Sequence, residues 1–318
     1  MVVDPAQSKT QQVGAGRVAA AQGPGVGGGS AGAPIRQSNL WKDAWRRYVR
    51  NKAAVLAGSV FVLVLLFCLI WPIVSPYDPN AVKFELKNAS PSLSHPFGTD
   101  NFGRDMLTRT AVGGRVSIGI GFAATLAILL IGVAYGSISG FVGGKLDNGM
   151  MRLLDTLYGL PYLPFAIIVL AIFGQANFWT MVVALAIASW FTSARIVRGQ
   201  VISLKENDYV RAARAVGARW FRVLGRHLLP NTLGVLIIAI FLELPGVILG
   251  EAFLSFIGLG ISPPNASWGQ MANEGRSVYR VAPHIMAVPS IAIATLILCA
   301  NFIADGLRDA LDPRTRET

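Results

Sequence analysis

Charged residues are so sparse along this 318-residue chain that the uncharged stretches between them define its architecture. Ala53 to about Val74 holds no Asp, Glu, Lys or Arg, and neither does Val116 to Gly144. Thr156 to Ala194 runs 39 residues without a charge. A helix crossing a bilayer core needs about 20 apolar residues, so this stretch is too long for one and enough for two. Gly174-Gln175-Ala176-Asn177 supplies the turn between a third span near 150–173 and a fourth near 178–194. A fifth follows Pro230-Asn231 to about Ile257, interrupted by Glu243, Pro245 and Glu251, and a sixth lies near 286–305. Pro72, Pro76 and Pro79 are expected to end the first span. The pattern predicts an all-α fold, a polytopic membrane helical bundle of about six transmembrane helices.

The remaining segments divide by texture. Residues 1–39 contain eight glycines and few large apolar side chains. Such a segment cannot bury enough surface to offset its ordering entropy, which predicts a disordered cytoplasmic tail. It lacks the basic start and apolar core of a cleavable signal, so the first span, 53–74, is expected to serve as an uncleaved anchor. In 40–52, Trp41, Ala44, Trp45 and Tyr48 recur at helical spacing while Arg46, Arg47 and Arg50 fall on other faces. That arrangement predicts an interfacial amphipathic helix, with aromatics at headgroup depth and cations toward anionic lipid. Residues 75–111 read as an extracytoplasmic loop rich in Pro, Ser and Asn. Residues 112–309 read as the transmembrane core with a long loop at 195–230, and 310–318 as a cytoplasmic C-terminal tail.

Composition changes the picture little, but charge orients it. Only 14% of residues are charged and 53% are apolar, too little charge to coat a soluble surface. The net charge of +11 raises nucleic acid as a partner until its distribution is considered. With the N-terminus inside, 21 of the 28 Lys and Arg residues lie in cytoplasmic segments. The positive-inside bias thus accounts for the basicity, makes nucleic-acid binding unnecessary and puts both termini in the cytoplasm.

The loop at 195–227 is too long for a simple turn. It holds eight cations against Glu206 and Asp208. Asn207 or Asp208 can cap a helix on which Tyr209, Ala212, Ala213 and Val216 share one face. Gly217 stops it, and a second short helix from Arg219 leads to Leu228. From the residues alone, a knob shaped for a partner's cleft and a solvated basic loop fit equally well.

Glu243 and Glu251 are costly inside a span, where a charge near the centre costs roughly 2.5–3.5 kcal/mol on insertion scales. Eight residues apart, they sit roughly 80° apart around a helix. With Gly246 and Gly250 they are candidates to line a translocation path, the alternative being structural acids with Ser, Asn or backbone partners. Asp155, Asn301 and Asp305 read as structural. Cys68 and Cys299 lie apart in apolar runs, with no disulfide or metal spacing. His95 and His284 lack an accompanying carboxylate or thiol cluster, so no metal site is expected. Gly143-Gly144-Lys145 lacks the earlier Gly and the following Ser or Thr of a phosphate loop, so the chain is not expected to bind nucleotide or act as an enzyme.

Asp208-Tyr209-Val210-Arg211-Ala212-Ala213-Arg214-Ala215-Val216-Gly217, followed by His227-Leu228-Leu229-Pro230-Asn231, resembles the coupling-loop signature of ABC-importer permeases. Ala212, Ala213, Gly217, Leu229 and Pro230 match it, while Arg211 stands at its Glu position. Pro96-Phe97-Gly98-Thr99-Asp100 with Gly103-Arg104-Asp105 resembles the second permease subunit of di- and oligopeptide importers. So do Ala252 to Gly260 with Pro263-Pro264 and Ser267-Trp268-Gly269, and Asp305 to Arg314. The likeness covers roughly residues 40–316, and nickel importers share much of it.

The resemblance implies a type I ABC importer transmembrane domain in a bacterial plasma membrane. Tyr209, Val210, Arg211, Ala212, Ala213, Gly217, His227, Leu229 and Pro230 would form the contact with an ATPase. Its implied partners are a second homologous permease, two cytoplasmic ATPases that hold the ATP and Mg, an extracytoplasmic solute-binding protein, a peptide substrate and membrane lipid. Arg211 implies an ATPase surface with compensating charge. A permease for nickel or another small solute is the nearest alternative. A stand-alone ion-coupled transporter would show an internal repeat, and an intramembrane enzyme a nucleophile–base or metal-ligand pair; neither pattern is evident.

Overall fold

The computed structural model describes residues 40–262 and 265–311; the expected disordered tail, the residues after 311 and the Pro263-Pro264 pair lie outside the described residues. Among the described residues the chain is helical, without a named strand. A short amphipathic helix, α1 (Leu40–Arg50), leads into α2 (Lys52–Val74), which Asn51 caps by accepting the Ala54 N–H at 3.1 Å. Pro72 does not end α2 but sits in its last turn; the Cys68 carbonyl, which Pro72 has no N–H to reach, accepts from Arg115 Nε at 2.7 Å instead.

The centre of the bundle is the pairing of α3 (Met106–Val142) with α6 (Phe178–Lys205). Gly132, Gly136 and Gly140 recur every four residues on α3, and there the backbone of α6 comes closest. A Cβ on Gly132 would press on Ser193 and Ala194, one on Gly136 on Ala194 and Val197, and one on Gly140 on Arg198 and Val201. Small residues at this spacing let two membrane helices approach until their backbones touch, which packs them where no hydrophobic effect drives association. The partners advance along α6 as the glycines advance along α3, so the two helices are parallel.

Two parallel helices in sequence require the chain to cross back between them. The return is made by α4 (Gly144–Tyr158) and α5 (Tyr162–Phe173), bent by 91° at Gly159–Pro161. The third span expected near 150–173 is therefore not a straight helix. Pro161 lacks an N–H and drives Leu160 from helical backbone, which breaks the span. Gly143 and Gly144, both at positive φ (70° and 63°), turn the chain from α3 into α4. Among the described residues five helices are long and apolar enough to cross a membrane, or six crossings if the bent pair is taken as one span.

The last two long spans are α9 (Leu229–Phe256) and α11 (His284–Leu311), with α10 (Trp268–Arg276) lying between them. Trp268 is the largest fully buried side chain; its indole N–H donates to Thr110 O at 2.8 Å, and its ring fills the space left by Gly114. Near the other end of α11, Gly306 admits Ala54 of α2 and Tyr48 of α1. The described ends of the chain, α1 and the close of α11, thus lie on the same side of the bundle, together with the ends of α3 and α6.

Candidate functional site

On that side, α6 stays helical through Lys205 rather than dissolving at Arg195 into the expected loop. Two of the arginines there are paired with acids of α4. Arg198 grips Asp147 with two bonds of 2.6 Å, and Arg195 pairs with Asp155 at 2.6 Å. Ser139 also donates to Asp147, which ties α3, α4 and α6 together. Val197 and Val201 on the opposite face remain packed in the core, so the helix has no reason to end.

Two residues later α7 (Asp208–Ala215) begins. Asn207 caps it through its backbone carbonyl, accepting from Val210 and Arg211, not through its side chain. Gly217, at φ 81°, closes it: its N–H bonds Arg214 O at 2.9 Å, and the Ala218 N–H reaches back to Ala213 O at 3.1 Å. This pair of backward bonds needs a left-handed residue at Gly217, which glycine adopts without strain. Helix α8 (Trp220–Val223) and a π turn (Leu224–Leu228) then run directly into α9. The expected separate helix from Arg219 is thus continuous with the fifth span. Pro230 has no N–H to donate, and just before it the helix widens so that the Leu229 N–H reaches Leu224 O.

The resulting knob is anchored inward and bare outward. Val210 is fully buried with Val223, Leu228 and Leu236. The Arg214 guanidinium lies 4.8 Å from the Phe141 ring centroid, and Asn231 donates to the Tyr209 hydroxyl at 3.3 Å and to His227 O at 2.7 Å. Lys205 donates to Gly140 O at 3.0 Å. The knob is thereby fixed to the ends of α3 and α6 and to the start of α9. Val216 (85% exposed), Trp220 and Phe221 (53% each), Ala212 and Tyr209 face away, with Ala213 half-buried beside them. Trp220 and Phe221, which the sequence did not single out, enlarge this apolar face. Arg211 is exposed and pairs only loosely with Glu206 at 3.4 Å, a contact worth about 0–1 kcal/mol. Leu229 is half-buried and Pro230 exposed at the foot of the knob.

Glu243 and Glu251 part company. Glu243, Gly246 and Gly250 border a cavity of about 460 Å³ with Tyr162, Ser189 and Phe253, and Glu243 is its only formal charge. Tyr162 packs directly over Gly250, leaving no room for a side chain there. Glu251 does not line this cavity; it is completely buried on another face of α9. It accepts from Ser117 at 3.0 Å and Ser255 at 2.7 Å, and Ser117 also accepts the Trp268 N–H at 3.1 Å. Through these serines Glu251 joins α3 to α9 and reaches the start of α10. A buried carboxyl needs such partners, and the serines supply them.

At the opposite end of the bundle, Asp100 and Glu274 hold Arg104 and Arg109 in one buried cluster, with N···O distances of 2.6 to 3.2 Å. His95 bonds Asp105 at 2.8 Å and lies against Tyr77, and His284 faces Thr99 O. Both histidines are thus engaged in fastening the loop. Among the described residues no group of three potential metal ligands occurs. The spacing of Asp100 and Arg104 hints at a pair, but Glu274 joins from about 170 residues away and no local pattern announces it.

A helical bundle of five or six crossings, with an anchored, outward-facing knob at one end and an acidic cavity between spans, has the build of an integral membrane transport component. Residues 132–317 match the model of binding-protein-dependent transport system inner membrane components, and residues 39–91 that of the N-terminal TM domain of oligopeptide transport permease C. The chain belongs to this family. It is 41% identical over 280 residues to the oligopeptide transport system permease protein OppC of Haemophilus influenzae, covering 87% of this chain and 90% of that one. It is 44% identical to the dipeptide transport system permease protein DppC of Bacillus subtilis over 86% of each chain. Its fold is similar to that of a chain in the inward-facing MetNI methionine ABC transporter (TM-score 0.54, 18% identity), covering 65% of this chain and 98% of that one.

Proposed function

We propose that this chain is the permease subunit of an ATP-driven importer of di- and oligopeptides, forming half of the translocation path. The observation that carries the reading is the α7 knob. Its apolar face is bare, while its buried side is locked to α3, α6 and α9, so a push on the knob reaches three spans. A cytoplasmic ATPase is the partner that such a device serves, holding the ATP and Mg and hydrolysing the nucleotide. The peptide assignment is supported by the relatives named as oligopeptide and dipeptide permeases.

The distribution of cations supports an orientation with the knob and both termini in the cytoplasm. A second, homologous permease would cover the exposed apolar face that Leu242, Leu249 and Phe253 present along α9, with Ile257 just beyond its end. The cavity at Glu243 opens beside that face, which suits a path between two permeases, with the carboxylate there to attract a peptide's amino group. A solute-binding protein would deliver substrate at the opposite end. The test is expression with the genomic neighbours, purification, and reconstitution into liposomes. ATP-dependent uptake of labelled peptide is expected. Recovery of no ATPase and no second permease would overturn the reading, and uptake of nickel but not peptide would overturn its substrate.

A further inference from the structure

We propose that the groove between α1, α2, α9 and α11 binds a single anionic phospholipid, an acyl chain in the groove and the phosphate on the arginines of α1. The groove encloses about 830 Å³, and its lining is almost wholly apolar. Its polar groups are already engaged: Tyr48 donates to Ala54 O at 3.2 Å and Ser59 to Val55 O at 2.9 Å. An occupant of the groove therefore needs no hydrogen-bonding groups. Along α2 the lining runs from Val55 to Leu63, about 12 Å into the bilayer at 1.5 Å per residue.

The walls distinguish a lipid chain from a helix. Where α3 meets α6, helix fits helix through a four-residue series of glycines; here bulky Val62, Leu63, Phe241, Leu307 and Leu311 stand among the small Ala44, Gly58, Ser59 and Ala310. Large side chains hold a second backbone off, while a flexible acyl chain can thread between them. The mouth supplies the charge. Trp45 and Tyr48 line it at the membrane surface, and the same helix carries Arg46, Arg47 and Arg50. Arg46 and Arg50 are both exposed. A phosphate with net negative charge complements this rim; a zwitterionic headgroup does so far less. The proposal requires only that the chain sits in a membrane, so its failure leaves the importer reading intact.

The test uses the full chain purified with its co-expressed partner subunits, stripped of lipid in detergent, and followed by native mass spectrometry. The probes are phosphatidylglycerol and phosphatidylcholine with identical acyl chains. One phosphatidylglycerol per copy of this chain is expected to remain bound, at least about tenfold more tightly than phosphatidylcholine. The double variant R46E/R50E should erase the preference, and Val62→Trp or Leu63→Trp should abolish retention of either lipid. Equal retention of both lipids by the unaltered protein, or undiminished phosphatidylglycerol in both tryptophan variants, would overturn the proposal. So would cross-linking of Val62→Cys to a partner subunit in native membranes, which would put a helix in the groove.

Discussion

Replacing Glu251 with alanine separates the two acids of the fifth span by what they do. The substitution removes a completely buried carboxyl that accepts from Ser117 and Ser255. Two buried hydroxyls lose their acceptor, at about 1–3 kcal/mol each, and the vacated volume adds a cavity cost. The sum is about 3–6 kcal/mol, a large fraction of the stability of a typical domain. At about 2–4 °C per kcal/mol for a protein of this size, the melting temperature should fall by roughly 6–24 °C. Glu251→Gln keeps the shape and one acceptor and should recover most of the loss. The assay is thermal unfolding of the purified protein in detergent, alongside peptide uptake. Glu243→Ala, on the cavity wall, should leave unfolding within about 1 kcal/mol of the parent while changing uptake rate or substrate preference. An E251A protein that melts like the parent yet fails to transport would return Glu251 to the path and refute the assignment.

Gly136→Leu forces a side chain into the backbone of α6 at Ala194 and Arg198, whereas a Cβ at Gly149 meets nothing within 4 Å. The first variant should be lost from the monodisperse peak in size-exclusion chromatography and Gly149→Leu should not. Glu274→Ala leaves Arg104 and Arg109 facing each other with only Asp100 to share, which should cost about 3 kcal/mol. Faster proteolysis of the 75–105 loop in E274A than in the parent is the expected readout. An unchanged digestion rate would mean the cluster does not fasten it.

What the sequence made legible follows from what is local. The uncharged runs predict the crossings because backbone in a bilayer has to bond within its own segment. The α7 helix and its Gly217 stop are likewise readable, since capping needs only neighbours. The Gly132, Gly136 and Gly140 series was also present as a four-residue repeat and identifies the α3–α6 seam once that period is sought. Other features depend on residues distant in sequence. Nothing near Glu251 announces Ser117, and nothing near Arg109 announces Glu274, because these pairs exist only after the helices assemble. Arg195 and Arg198 misled for the same reason: read alone they suggest solvent, but Asp155 and Asp147 hold them and α6 stays ordered.

The central claim is that the bare face of α7 passes work between an ATPase and the spans. Its most direct test is the ratio of peptide taken up to ATP hydrolysed in proteoliposomes carrying Ala212→Trp, with Gly217→Pro as a second variant. Both proteins should insert and assemble like the parent. Uptake per ATP should drop by at least about tenfold while hydrolysis continues, since a bulky or misdirected knob no longer seats in its partner. Uptake per ATP equal to that of the parent in both variants would contradict the account.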